Sequence, residues 1–169
     1  MKKKKKNKKV KNRPSAKGTP RSNIVSIRKE TMNIGEEGIF SRSYPEKMNR
    51  LAVVDRLSCK ELSELSSNDI WKLGEYQIYD GLLEEDEDLV NKGIEALSRG
   101  ATNDPPSPAC LLDLGWILLF KGVPTLALDY LKRANELVPK SRDILSLVGH
   151  AHIKLGNSSE ALKVFLEIQ

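Results

Sequence analysis

The stretch that decides the fold is LLDLGWILLFKGVPTLALDYLKRANELVP, from Leu111 to Pro139, answered by LSLVGHAHIKLGNSSEALKVFLEIQ from Leu145 to Gln169. Laid over one another, the two match at a constant offset of 34. Leu111 falls on Leu145, Gly115 on Gly149, Gly122 on Gly156, Ala127 on Ala161, Leu128 on Leu162 and Leu131 on Phe165. A repeat of this length is one helix–turn–helix unit, which buries its apolar side only by stacking on a neighbour. Gly115, Ala127, Gly149 and Ala161 lack bulk where paired helices must cross. Gly122 and Gly156 suit the left-handed position that ends a helix. Pro124 fits the first turn of the helix that follows, and Asn157 with Glu160 reads as a cap for the last.

A third, degenerate copy precedes these. At the same offset Gly81 stands before Gly115, Gly93 before Ala127, Leu97 before Leu131, Gly100 before Ala134 and Pro105 before Pro139. It departs at Asp88, where the others have Gly122 and Gly156, so its turn belongs inside Glu84-Glu85-Asp86-Glu87-Asp88. That acidic run lacks the alternating ligands and central glycine of a calcium loop. A solvated turn, its acids favouring the positive end of the next helix, is expected instead.

Ahead of the repeats, residues 45–73 predict lead-in helices. Pro45 suits a helix start, and Met48, Leu51, Ala52, Val54 and Leu57 approximate one apolar face. Ser58 with Glu61 makes a capping box, and Ser67 or Asn68 caps the helix carrying Ile70, Trp71, Leu73, Tyr76, Ile78 and Tyr79. Residues 1–44 predict a disordered basic arm and linker. Residues 1–29 hold ten Lys and three Arg with no acid, so the remaining chain carries −8 within the net +5. Lys2, Lys3, Lys4, Lys5, Lys6, Lys8, Lys9 and Lys11 repel one another and offer no apolar group to offset ordering. Three uses stand for this run: a solvated tail, non-specific binding to nucleic acid or an anionic surface, and targeting. No aromatic residue interleaves its charges, which excludes base stacking there.

The repeated residues resemble the tetratricopeptide repeat. Leu111, Leu114, Gly115, Leu118, Ala127, Leu131, Ala134 and Pro139 stand in the family's order and spacing. Leu145, Val148, Gly149, His152, Ala161 and Phe165 repeat it. The resemblance spans residues 74–169 and implies an all-α fold, a short right-handed solenoid of about three repeats. It also implies a concave groove lined by the first helix of each hairpin. The family's positions carry over as Ile78 and Leu82, then Leu112, Trp116, Leu119 and Phe120. From the last copy they add Asp143, Ser146, His150, Ile153 and Lys154. An apolar middle with a mildly basic end suits an extended or helical peptide; packing of Trp116 and Phe120 on the lead-in helices or a sister chain is the competing expectation. The family's clamp for a terminal carboxylate is not supported, since Leu82, Trp116 and His150 stand where it needs Asn.

The chemistry-bearing residues point away from catalysis. His150 and His152 are two apart on a helix and cannot share a metal. No Ser–His–Asp set or phosphate loop is present, so neither an enzyme nor a cofactor is expected. Cys59 and Cys110 read as reduced thiols. No apolar run is long enough for a membrane span, and no apolar segment of a signal peptide follows the basic start; a cytoplasmic location is the expectation. Leu162, Phe165, Leu166 and Ile168 would leave an apolar end without the polar cap that repeat arrays carry, an expected place for self-association or a partner. The functional expectation is a non-catalytic module that binds a protein or peptide partner. Two alternatives are a type III secretion chaperone-like protein holding a secreted partner, and a nucleic-acid-associated adaptor using the basic arm.

Overall fold

Serine and aspartate begin several of the helices. Ser66, Asp86 and Ser107 each accept the backbone N–H three residues on, from Asp69, Leu89 and Cys110, which satisfies one of the amides a helix start leaves unpaired. The computed structural model describes residues 42–168 and is all-helical there, with no strand among the described residues. The helices are α1 (Lys47–Ser58), α2 (Ser67–Glu84), α3 (Glu87–Thr102), α4 (Pro108–Phe120), α5 (Pro124–Leu137), α6 (Arg142–Lys154) and α7 (Ser158–Leu166), with a 3-10 turn at Leu62–Glu64 between the first two. Each packs chiefly on its neighbours in sequence, as the pairs α2/α3, α4/α5 and α6/α7. First helices also touch across pairs, α2 on α4 and α4 on α6. No described helix is long and apolar enough to cross a membrane. The lysine run from Lys2 to Lys11 and the rest of residues 1–41 lie outside the described residues.

The turns form as the glycines require. Gly122 and Gly156 adopt φ of 78° and 77°, the left-handed region that costs any other residue steric strain. In the degenerate copy Glu85 takes that conformation, at φ 58°, and Asp86 caps the next helix. The turn therefore lies within the acidic run, as expected, and is shorter than its counterparts. The core runs through all the pairs, with Leu97, Leu111, Ile117, Ala127 and Leu131 fully buried.

Close approach fixes the register. A Cβ on Gly115 would meet Leu131 Cγ at 2.4 Å, and one on Gly149 would meet Phe165 Cε1 at 2.5 Å. The two clear copies thus use the same contact. In the first pair a Cβ on Gly74 would meet Leu97 Cγ at 2.7 Å, whereas one on Gly81 would meet Val90. The degenerate copy is therefore out of step with the constant offset: the glycine equivalent to Gly115 is Gly74, 41 residues before it. Gly74 stands seven residues into α2, as Gly115 does into α4, so the extra length of α2 lies after the crossing, toward the acidic turn, and a boundary at residues 73/74 falls inside the helix.

Between α2 and α3 the close approach is to backbone. A Cβ on Gly93 would lie 2.7 Å from the Gly74 carbonyl oxygen and 2.9 Å from the Ile78 nitrogen. Backbone cannot yield as a side chain does. Alanine's better helix propensity returns at most about 1 kcal/mol, while overpacking costs about 1–3 kcal/mol. Gly93→Ala is expected to lower stability by about 1–2 kcal/mol net in urea denaturation; an unchanged midpoint would mean the two helices stand further apart.

Local starts differ from the expected ones in four places. Ser58 closes α1 instead of opening a helix, so the Ser58–Glu61 box does not form. Ser66, not Ser67 or Asn68, caps α2. Glu46 and not Pro45 precedes α1. Asn157 makes no side-chain cap, and Glu160 pairs with Lys163.

Candidate functional site

Helical spacing sets one row of side chains on each first helix. With Gly74, Gly115 and Gly149 as equivalent points, the rows are Trp71, Glu75 and Tyr79 on α2, Leu112, Trp116 and Phe120 on α4, and Ser146, His150 and Lys154 on α6. Residues four apart stack along one helix face. The chain's own segment Arg42–Pro45 lies against the α2 row and against Asp113 of α4.

Arg42 reaches across two helices. Its Nη1 and Nη2 donate to Asp113 Oδ2 and Oδ1 at 2.8 and 2.7 Å, and Nη1 also donates to Glu75 Oε1. A two-pronged guanidinium–carboxylate pair is among the stronger charge-assisted contacts. Trp71 Nε1 donates to the same Asp113 Oδ2 at 2.7 Å, and the Arg42 guanidinium carbon lies 5.7 Å from the Trp71 ring centroid. Two residues on, Tyr44 Oη donates to Glu75 Oε1 at 2.9 Å and its ring stacks on Tyr79 at 4.1 Å. A small cleft of 170 Å³ separates this segment from Trp71, Lys72 and Tyr76.

A second arginine holds the other end. Arg50 of α1 donates to both oxygens of Asp80 and to the Pro45 carbonyl, with its guanidinium 4.7 Å from the Tyr79 ring. Arg50 and Asp80 are 6% and 2% exposed, whereas the Arg42 side chain is 27% exposed. The Arg50 pair is sealed into the α1/α2 contact. The Arg42 pair stands at the rim.

One guanidinium serves two carboxylates, and the titration behaviour follows. Burial would lower the Arg42 pKa, but hydrogen bonds and charge from Asp113 and Glu75 outweigh it and leave it raised. Burial and the Glu75 charge both raise Tyr44. The Glu75 carboxyl is raised above its ordinary 4.5 by burial, which the Arg42 hydrogen bond opposes and the Asp113 charge reinforces. A carboxyl raised on folding binds more protons folded than unfolded at pH values between the two pKa values. Its contribution to stability therefore falls as pH rises through that window, starting near 4.5. Glu75→Gln is expected to flatten this part of the stability–pH curve, followed as Tm from acid to neutral pH; an unaltered slope would refute the assignment.

The expected groove residues separate into two groups. Ile78 and Leu119 are fully buried and Trp116 is 3% exposed, so these three lie in the core and line no open surface. Trp116 stacks on Phe120 at 5.6 Å. Leu82, Leu112, Phe120 and His150 are half-buried and Lys154 is exposed. His150 Nδ1 lies 2.8 Å from the Ser146 carbonyl oxygen, and its ring meets Phe165 edge-on. At the far end Leu162 and Leu166 are exposed, while Phe165 covers Gly149 and, like Ile168, is half-buried.

Sequence reasoning missed Arg42, Tyr44, Glu75 and Asp113. The one available signal was an aspartate inside the apolar run LLDLGWILLF, since a charge at a buried helical position needs a partner.

The two thiols differ in environment. Cys110 is fully buried beside Gly100, and burial pushes its thiol up to about 11, with the Ser107 hydrogen bond opposing. Cys59 is exposed. Since the thiolate is the reactive form, a maleimide is expected to label Cys59 in the native protein and Cys110 only after denaturation; mass spectrometry of the labelled peptides checks this. No cluster of three or more metal-ligating side chains occurs among the described residues.

Comparison of the chain with protein-family models, with curated proteins and with solved structures finds no match in any of the three.

Proposed function

We propose that the chain is a non-catalytic, tetratricopeptide-like helical repeat module that takes an extended segment of a partner protein on the face of its first helices. One observation carries the reading: the α2 end of that face already holds a non-helical segment, Arg42–Pro45, by side-chain hydrogen bonds and ring stacking. Main-chain-independent capture of an extended peptide is a recurring use of helical and grooved surfaces. The partner would continue from Tyr79 across Phe120 toward His150 and Lys154, an apolar middle followed by a basic end.

A photo-reactive residue placed at Phe120 tests this against one at Lys132, an exposed position on α5. The expected result in cell extract is a discrete protein adduct from position 120 and none from position 132. No adduct at 120, or equal adducts from both, would remove the reading. Self-association is a second reading, favoured by the 60% and 56% exposure of Leu162 and Leu166 on α7. Sedimentation that shows a monomer at high concentration would exclude it.

A further inference from the structure

We infer that Asp113, Glu75 and the Trp71 ring form a guanidinium-binding site for an arginine-bearing extended peptide, with the chain's own Arg42 as a resident that the incoming arginine displaces. The inference rests on the proposed peptide-binding role of this face and narrows its ligand.

The site has the parts that distinguish arginine from lysine. Both Asp113 oxygens face one guanidinium fork at 2.7 and 2.8 Å, a planar match that a point ammonium cannot reproduce. Asp113 is 1% exposed, and Trp71 Nε1 fixes its Oδ2 from the other side. The carboxylate is therefore held before a ligand arrives. Glu75 accepts from the same guanidinium, so the cluster carries two acids for one cation and stays selective for a positive side chain. The second anchor lies two residues further along, where an aromatic hydroxyl reaches Glu75 and its ring lies flat on Tyr79. The recognised pattern is arginine, any residue, then tyrosine.

The resident is built to leave. Arg42, Ser43 and Tyr44 make no backbone–backbone hydrogen bond to another described residue, and their contacts to α2 and α4 are made by side chains. Behind them the Arg50 contact to the Pro45 carbonyl stays with α1 and serves as a pivot. Arg42 is part exposed at the rim, the position from which exchange starts. A tethered occupant acts at an effective concentration on the order of millimolar. It therefore lowers the apparent affinity for an outside peptide in proportion to the fraction of time the site stands empty.

A labelled peptide of Phe40–Glu46, FSRSYPE, tests this on the full chain by fluorescence anisotropy. Arg42→Ala is expected to bind it about tenfold or more tightly than the wild type, because the resident guanidinium is gone, and adding Tyr44→Ala to free the second anchor should tighten it further. The same peptide with lysine for its arginine should bind Arg42→Ala about tenfold more weakly, the loss of one good two-pronged contact. Arg42→Ala combined with Asp113→Asn should bind neither. Equal binding of the arginine and lysine peptides, no gain over wild type, or retained binding by the double variant would each overturn the site. Should Arg42→Ala lose its helical circular dichroism, recovery on adding the arginine peptide supports the site and no recovery overturns it. An adduct from Phe120 with no peptide binding by Arg42→Ala rejects the arginine site alone. Peptide binding with no adduct rejects the wider partner role alone.

Discussion

Trp116→Ala is expected to lower the unfolding free energy by about 3–5 kcal/mol, the range for deleting a buried indole and leaving its cavity. Trp116 is 3% exposed and its ring lies nearly parallel to Phe120, at 21°. The neighbours cannot close the gap, because α4 packs on α2, α3, α5 and α6 at once. Urea denaturation checks this: the midpoint should fall with little change in slope. A loss under about 1 kcal/mol would put the indole at the surface. The consequence for binding experiments is direct. A partner lost with Trp116→Ala reports unfolding, whereas Phe120 and Lys154 report the face itself.

Asp113→Ala comes next in size, at about 3 kcal/mol. Removing one member of a buried ion pair costs about 3–5 kcal/mol because the other is left without its counter-charge. The low end applies here, since Arg42 is part exposed and can turn toward water. Part of the loss belongs to the Trp71 N–H, which forfeits its acceptor, a group costing about 1–3 kcal/mol when left unsatisfied. Asp113→Asn keeps an acceptor for Trp71 and should cost less. A double-mutant cycle with Arg42→Ala separates the two contributions, and contacting residues are expected to couple by about 0.5–3 kcal/mol. Coupling near zero would mean that Arg42 does not hold the segment in solution.

The pairing of α4 with α5 and of α6 with α7 was legible because one contact is made twice. Gly115 meets Leu131 and Gly149 meets Phe165, and residues 16 apart in both copies leave a periodic trace in the chain. The first pair was legible in its parts and misplaced in its register. Its turn was found from the acidic run. The offset, however, pointed to Gly81 where Gly74 makes the crossing, since nothing in a constant period signals a helix lengthened on its turn side. The same offset led to Ile78, which is fully buried, and Leu82, which is half-buried, whereas the row level with Gly74 holds Trp71, Glu75 and Tyr79. Trp116 and Leu119, also expected in the groove, are buried. In a helix as uniformly apolar as α4, hydrophobicity does not say which side faces out. Of the Arg42 site only Asp113, a charge inside an apolar run, left a trace; its pairing was out of reach, because the partners of Arg42 lie 33 and 71 residues away and no local pattern links them.

The position of Arg42 has a practical consequence for anyone who shortens the chain to remove its lysines. Cutting just ahead of Pro45, at the apparent edge of the first helix, would strip the cation from between two neighbouring acids and leave them to repel each other. The trimmed protein would then look unstable for a reason unrelated to the lysines. A cut placed before Phe40 avoids that artefact and keeps the comparison fair.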